Sequence, residues 1–259
     1  MSLARQHRER HLAAQTAASP EMEGGLPGAR RPTSALVPDP ASQAHAQMML
    51  RLTHDLQRLK QIQSIELKIA AKAEMLPEYR PWIDGLLKAA EQTGRGVQDD
   101  LLPTIMIWLI DTGQYHEAMP LIDYVLAYDI ALPTRYERSA PALIVEEIAE
   151  AAIRLQGTGG SFPLEILEAV EALTLDSDMH DQIRAKLHKA IGAELATLAE
   201  TIEPATPEFV PAAERALVAL RRAQQLHDRI GVKDRIKRLE RSVTPKTEQA
   251  SPAQTEQAG

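Results

Sequence analysis

The sequence contains no cysteine and only nine aromatic residues among its 259 positions. Without cysteine the chain cannot form disulfides, Cys-ligated zinc sites, iron–sulfur clusters or a cysteine nucleophile. Sheets depend on aromatic and β-branched residues, whereas this chain favours Ala, Leu and Glu, so a β-sandwich or barrel is disfavoured. No apolar run approaches the roughly 20 residues of a membrane span, and the basic N-terminus lacks the apolar core of a secretory signal. These absences lead us to expect a cytoplasmic protein.

The net charge of −7 is unevenly distributed along the chain. Residues 1–72 hold ten Lys/Arg against six Asp/Glu, residues 73–220 hold ten against 25, and residues 221–246 hold nine against three. The acidic total therefore conceals two basic ends that flank an acidic middle. Segregated charge of this kind is compatible with binding to nucleic acid, whereas the total alone would argue against it.

Helical periodicity and turn residues predict an all-α fold: a long N-terminal helix followed by stacked antiparallel helical hairpins, with disordered termini. The predicted N-terminal arm contains many Pro and Gly residues and few large apolar side chains, which is typical of disorder. The predicted segments are a disordered basic arm at 1–40, a long basic-faced helix at 41–76, a helical core at 77–203, a C-terminal helical hairpin with a basic helix at 204–243, and a disordered tail at 244–259.

The helix predicted at 41–76 contains no Pro or Gly before Pro77, and apolar residues recur along it at helical spacing. At about 1.5 Å per residue it would be roughly 50 Å long. Its apolar stripe is expected to need a partner chain or later helices to cover it. The residues assigned to the oligomer or the core are Leu52, Leu56, Leu59, Trp82 and Trp108.

Two basic surfaces are candidate binding sites: one face of the helix at 41–76, and a helix predicted at 221–241. Lys and Arg at this density can neutralise phosphates and gain affinity by counterion release. A solvated end of an amphipathic helix is the alternative for the second surface, since apolar residues also recur along it. The candidate DNA-binding residues are Arg51, Arg58, Lys60, Lys68, Lys72, Arg221, Arg222, Lys233, Arg235, Lys237 and Arg238.

No nucleophile elbow, phosphate-cradling loop or metal motif is recognisable in the sequence. Two acidic pairs could converge on Mg²⁺ in a nuclease, but helix capping and a solvated surface explain them as well. We therefore expect no catalytic residue, no metal and no cofactor. Under the alternative of a Mg²⁺-dependent nuclease, the catalytic residues are Asp99, Asp100, Glu146 and Glu147.

Two sequence motifs resemble a known family. The first is Glu74-Met75-Leu76-Pro77 followed by Pro81-Trp82, and the second is Gly94-x-Gly96-x-Gln98-Asp99-Asp100-Leu101. Together with further matching segments over about residues 45–241, they resemble the small terminase subunit of peduovirus-type tailed phages.

The resemblance implies a role in packaging viral DNA. Members of that family recognise the cohesive-end site of phage DNA, assemble as ring-like oligomers and recruit a large subunit that uses ATP and, in most tailed phages, cuts the DNA. The expected partners of this chain are therefore double-stranded viral DNA, the large terminase subunit and further copies of itself, in the cytoplasm of the bacterial host. It would direct endonucleolytic cleavage. The alternatives are that it is itself a Mg²⁺-dependent endonuclease, or a protein-only helical scaffold.

Overall fold

The computed structural model describes residues 2–18 and 40–243, and its helices confirm the all-α prediction. In this part of the chain no helix is both long enough and apolar enough to cross a membrane. The described elements are α1 (Leu3–Ala18), α2 (Pro40–Gln61), α3 (Ile65–Met75), a 3₁₀ turn (Leu76–Glu78), α4 (Arg80–Thr93), α5 (Leu101–Asp111), α6 (Tyr115–Ala127), α7 (Ala140–Gly157), α8 (Leu164–Leu173), α9 (Asp181–Glu200), α10 (Phe209–Leu226) and α11 (Lys233–Val243).

Helix α1 contradicts the disordered arm predicted over 1–40, which is wrong for residues 3–18. The helix packs along α4, where Gly85 lets the two backbones approach closely: a Cβ at Gly85 would lie 2.5 Å from the Arg10 carbonyl oxygen. Ala13 is fully buried in this contact. Docking on α4 supplies stability that a short, polar helix lacks on its own. The rest of the predicted arm and the tail at 244–259 lie outside the described residues.

The segment predicted as one helix over 41–76 is two helices, because the chain breaks after Gln61. Ser64 has an extended backbone, and its hydroxyl accepts a hydrogen bond from the Leu67 N–H at 3.4 Å. A serine in this role satisfies one of the free N–H groups at a helix start, so Ser64 begins α3 as a new helix. The proline at 77 ends this region as predicted, and the chain turns through the 3₁₀ segment into α4.

The apolar stripe of α2 is covered inside the chain. Leu52 and Leu59 are buried and Leu56 is half-buried. Trp82 and Trp108, which mark the predicted core, belong to the same buried cluster. The α2 part of the predicted stripe therefore carries no argument for a partner chain, whereas Ile65 and Ile69, farther along that stripe, are exposed.

Helix α5 is the centre of the fold. All ten residues from Leu101 to Ile110 are buried, as the run of apolar residues predicts. Helix α6 packs back on α5 after the turn at Gly113, whose φ of 75° is one that glycine adopts without strain. Helix α7 contacts both α5 and α6, and α8 lies against α6, α7 and α9. The prediction that the helices stack as antiparallel hairpins stays a prediction.

The last three helices pack in sequence on α7. Helix α9 contacts α7, α10 packs along α9, and α11 packs on α10. Gly192 lies against Leu220 where α9 meets α10, and a Cβ there would be 2.6 Å from the Leu220 side chain. Ile236 and Leu239 are the buried residues of α11. The basic C-terminal helix is therefore anchored through its apolar side.

The single helix predicted over 221–241 is wrong, because the chain turns between Leu226 and Lys233. Gly231 has a φ of 81°, a left-handed conformation that interrupts a helix and that glycine adopts readily. The basic residues of this region are consequently shared between the end of α10 and all of α11.

We expect the substitution Gly85→Leu to release α1 from α4, because the new side chain would meet the Arg10 backbone and Ala13. Overpacking of a close contact costs about 1 to 3 kcal/mol, so the undocked fraction should rise roughly tenfold. Trypsin digestion followed by mass spectrometry would detect faster cleavage after Arg8 and Arg10. The control is Gly157→Leu, because a Cβ at Gly157 meets no atom within 4 Å. Equal cleavage rates in the two variants would contradict the docking.

Candidate nucleic-acid interface

The candidate basic residues on α2 and α3 are mostly paired with carboxylates. The ion pairs are Arg51 with Glu78 (2.5 Å), Arg58 with Glu74 (2.8 Å) and Lys72 with Asp111 (2.5 Å). Lys60 and Lys68 form no ion pair with any described residue, and the helix break places them on different helices. These pairs cancel charge that the sequence counts as free, whether they are part-buried, as for Arg51 and Lys72, or exposed, as for Arg58. The structure thus leaves this surface with two unpaired candidate cations.

The candidate basic residues of the C-terminal region are less neutralised. Two of the six form ion pairs: Arg221 with Glu240 (2.7 Å) and Arg238 with Glu200 (3.9 Å). Within residues 2–18 and 40–243, the others form none: Arg222, Lys233, Arg235 and Lys237.

Helix α11 presents unpaired cations on the side opposite its buried face. Ile236 and Leu239 point into the bundle, whereas Lys233, Lys237 and Arg241 are exposed. Since residues four apart lie on the same face of a helix, these three cations form a row, here termed the α11 basic stripe. The row extends over about 12 Å of helix axis, a length over which duplex DNA carries about seven phosphates. Its geometry suits contact with a DNA backbone.

The turn before α11 is tied to the bundle by Lys189. The Lys189 ammonium group, in α9, donates to the Ile230 carbonyl oxygen at 2.9 Å. Burial and the nearby positive charge of Arg235 lower the pKa of Lys189. The role of Lys189 is not evident from the sequence, because a single lysine within an amphipathic helix gives no sign of such a contact. It adds positive potential at the base of the stripe.

The two aspartates of the first acidic pair have different surroundings. Asp99 Oδ1 accepts hydrogen bonds from the Leu101 and Leu102 N–H groups, at 3.1 and 3.2 Å, in the first turn of α5. Its other carboxylate oxygen lies 3.5 Å from His45 Nε2. Asp100 is exposed and makes no capping hydrogen bond. Asp99 therefore caps the start of α5, which is the structural role that the sequence offered as the alternative to a catalytic one.

The second acidic pair lies in α7. Glu146 is buried and pairs with Arg138 and with Lys186, the latter at 2.9 Å. Lys186 also reaches Glu150 at 2.6 Å. Glu147 is half-buried, and burial raises the pKa of its carboxyl group. In the described part of the chain, no group of three or more His, Asp or Glu side chains is arranged to hold a metal ion.

Comparison with known proteins identifies relatives of this chain. The family model described as phage small terminase subunit matches residues 49–182, from α2 to the first turn of α9. A curated relative, the "Terminase, endonuclease subunit" of Escherichia phage P2, is 39% identical over 211 residues. That alignment covers 82% of this chain and 79% of the relative. No solved structure matches the chain.

We expect Asp99→Ala to lower the free energy of unfolding by about 1 kcal/mol, because the first N–H groups of α5 lose their acceptor. Urea unfolding followed by circular dichroism would measure the change. Asp100→Ala is the matched control, since this exposed neighbour makes no capping hydrogen bond, and its effect should stay below about 0.5 kcal/mol. Equal losses in the two variants would refute the capping role.

Proposed function

The chain belongs to the phage small terminase subunit family, and from this membership we propose that it binds the packaging site of viral DNA, assembles with further copies of itself and recruits the large terminase subunit. As a small terminase subunit it serves phage DNA packaging. In our proposal the assembly is a ring, the large subunit uses ATP and cuts the DNA, and this chain directs where the cut occurs.

The α11 basic stripe is the observation that carries DNA binding. Its three cations are exposed, unpaired among the described residues, and mounted on a helix whose opposite face is buried. Cations in such a row neutralise phosphates and release counterions, so the binding they produce weakens steeply as salt rises. Contacts to phosphates position a protein on DNA without reading its bases. Recognition of a particular site therefore requires further contacts beyond this row.

The N-terminal basic surface has a smaller part in this proposal. Arg51, Arg58 and Lys72 already have carboxylate partners, and a phosphate would have to displace them. Lys60 and Lys68 remain available, but they lie on separate helices. Of the two basic regions found in the sequence, the C-terminal one is thus the better supported.

We also propose that this chain does not itself catalyse DNA cleavage, although its P2 relative is named an endonuclease subunit. Magnesium prefers carboxylate and water oxygens in near-octahedral geometry. Asp99 already accepts hydrogen bonds that begin α5, and Glu146 is buried against Lys186. Each would have to give up a structural contact to bind a metal ion.

Replacement of the α11 basic stripe by Lys233→Gln, Lys237→Gln and Arg241→Gln should weaken retention of DNA that contains the packaging site. Removal of one phosphate-binding cation lowers the slope of log affinity against log salt by roughly 0.9, so the slope of the triple variant should be roughly 2 to 3 units smaller. Gel-shift titrations at several salt concentrations would measure both the affinity and the slope.

The matched control for this experiment removes the same charge elsewhere. Lys88, Arg95 and Arg154 are exposed cations of the acidic middle that form no ion pair within the described ranges. Their replacement by Gln should leave most of the affinity and slope intact. Equal reductions in the two triple variants would argue against the stripe. A wild-type chain that retains no DNA even at low salt would leave the protein-only scaffold as the better description.

The purified chain, incubated with Mg²⁺ and DNA containing the cohesive-end site, should leave the DNA intact. Addition of the large subunit and ATP should produce cleavage, because the proposal assigns the cutting site to that subunit. Agarose electrophoresis distinguishes the two results. Cleavage by this chain alone, abolished by Asp99→Asn or Glu146→Gln in a variant that remains folded, would establish the nuclease alternative instead.

A further inference from the structure

Helix α3 exposes apolar side chains to an unusual extent for a helix of a folded core. Ile65, Leu67 and Ile69 are 74%, 62% and 37% exposed, and the buried residues of this helix are Ala71 and Met75. A surface helix normally turns its apolar side inward and its polar side outward. Contiguous apolar surface that remains outside is typical of a binding site for another protein.

The exposed isoleucines lead directly into an apolar groove. Ile65, Ile69 and Ala73 are spaced four residues apart and therefore lie on one face of α3; they are termed the α3 stripe. Ala73 also lines the edge of the groove, which has a volume of about 240 Å³ between the 3₁₀ turn, α4, α5 and α6. The apolar residues that line this groove are Leu76, Ile83, Leu87, Ile105, Leu109 and Leu121.

Charged groups of both signs border the stripe and the groove. Arg80 and Glu117 pair with each other at the rim of the groove, and both are exposed. Beside the stripe, Glu66 and Lys68 form no ion pair with described residues. Exposed ion pairs contribute little free energy, so the rim pair can exchange partners at small cost. Glu66 and Lys68 on α3 are therefore opposite in charge to Arg80 and Glu117 at the rim, respectively.

We infer that the α3 stripe of one copy of the chain enters the groove of a second copy, with Glu66 facing Arg80 and Lys68 facing Glu117. The inference rests on the self-assembly in the proposed function and names the surface that produces it. Each copy carries both protruding isoleucines and an apolar recess, so the stripe of one copy can fill the groove of the next; a head-to-tail contact of this kind generates a ring when its rotation closes. The opposite charges around them favour the same partner over one that carries a single sign.

The first test replaces two exposed apolar residues of α3 by Ile65→Glu with Ile69→Glu. Light scattering over a range of concentrations should show the mass falling from that of the wild-type assembly to the 28.6 kDa of one chain. The matched control is Leu175→Glu with Val218→Glu, two residues that are each 68% exposed elsewhere on the surface. The control should retain the wild-type mass, and circular dichroism should show both variants to be folded.

The second test uses the absence of cysteine from the chain. Two tagged variants, Ile69→Cys and Glu117→Cys, are produced separately or together in one cell and then oxidised. A covalent dimer should form only when both are present, because the substituted stripe of one copy faces the substituted rim of another. A dimer of the Ile69→Cys variant alone would mean that α3 pairs with α3, and would overturn the inference.

The outcomes separate this inference from the proposed function. A wild-type chain that is monomeric at every concentration overturns both self-assembly and the inference. An oligomeric wild type whose mass is unchanged by the two substitutions in α3 overturns the inference alone. The same holds if those substitutions leave the mass unchanged but abolish binding of the large subunit, because the α3 stripe then belongs to that partner. DNA retention through the α11 basic stripe is measured independently of all three results.

Discussion

A buried carboxylate, that of Glu194 in α9, helps to join the last three helices to the rest of the bundle. It accepts hydrogen bonds from Gln156 Nε2 at 2.7 Å, from Ser161 Oγ at 2.8 Å and from the Phe162 N–H at 2.9 Å. A buried carboxylate is tolerated only when its hydrogen-bonding capacity is met, and a hydrogen bond to such a group contributes about 1.5 to 3 kcal/mol. These bonds hold α9 to the end of α7 and to the loop before α8. Because α9 carries α10, and α10 carries α11, this polar contact also contributes to the position of the basic stripe two helices away.

Pairing, more than the number of cations, decides which surface of this protein is positive. Arg51 and Arg58 carry the same single positive charge as Lys233 and Lys237, but their neighbours are carboxylates. Ion pairs of this kind remove positive charge from the local electrostatic potential. A chain with a net negative charge can therefore present a local row of unpaired cations. In this protein the row lies on a helix whose opposite face is buried in the bundle. That helix is α11, and its buried residues are Ile236 and Leu239.

Much of the fold was predictable from local signals, and what was missed depends on contacts distant in sequence. The proline at 81 and the glycine at 94 bound α4, and the apolar run from Leu101 identifies the buried α5. Helix α1 escaped prediction because its stability comes from docking at Gly85, about 70 positions later. The break before Ser64 depends on a single serine that caps α3, in a stretch otherwise favourable to a continuous helix. The sequence located the cations of the candidate site, but not the carboxylates that neutralise some of them, which are 16 to 39 residues away.

Helix α4 serves two surfaces at once, and Asp84 belongs to both. Its carboxylate pairs with Arg10 of α1 at 3.0 Å, and it also lines the apolar groove beside Arg80. Docking of α1 and the proposed occupation of the groove thus both involve α4. Thermodynamic linkage requires any coupling between them to be reciprocal. If docking of α1 changes the free energy of binding in the groove, binding in the groove changes the free energy of α1 docking by the same amount. A non-zero coupling of this kind would make the N-terminal helix an effector carried by the chain itself.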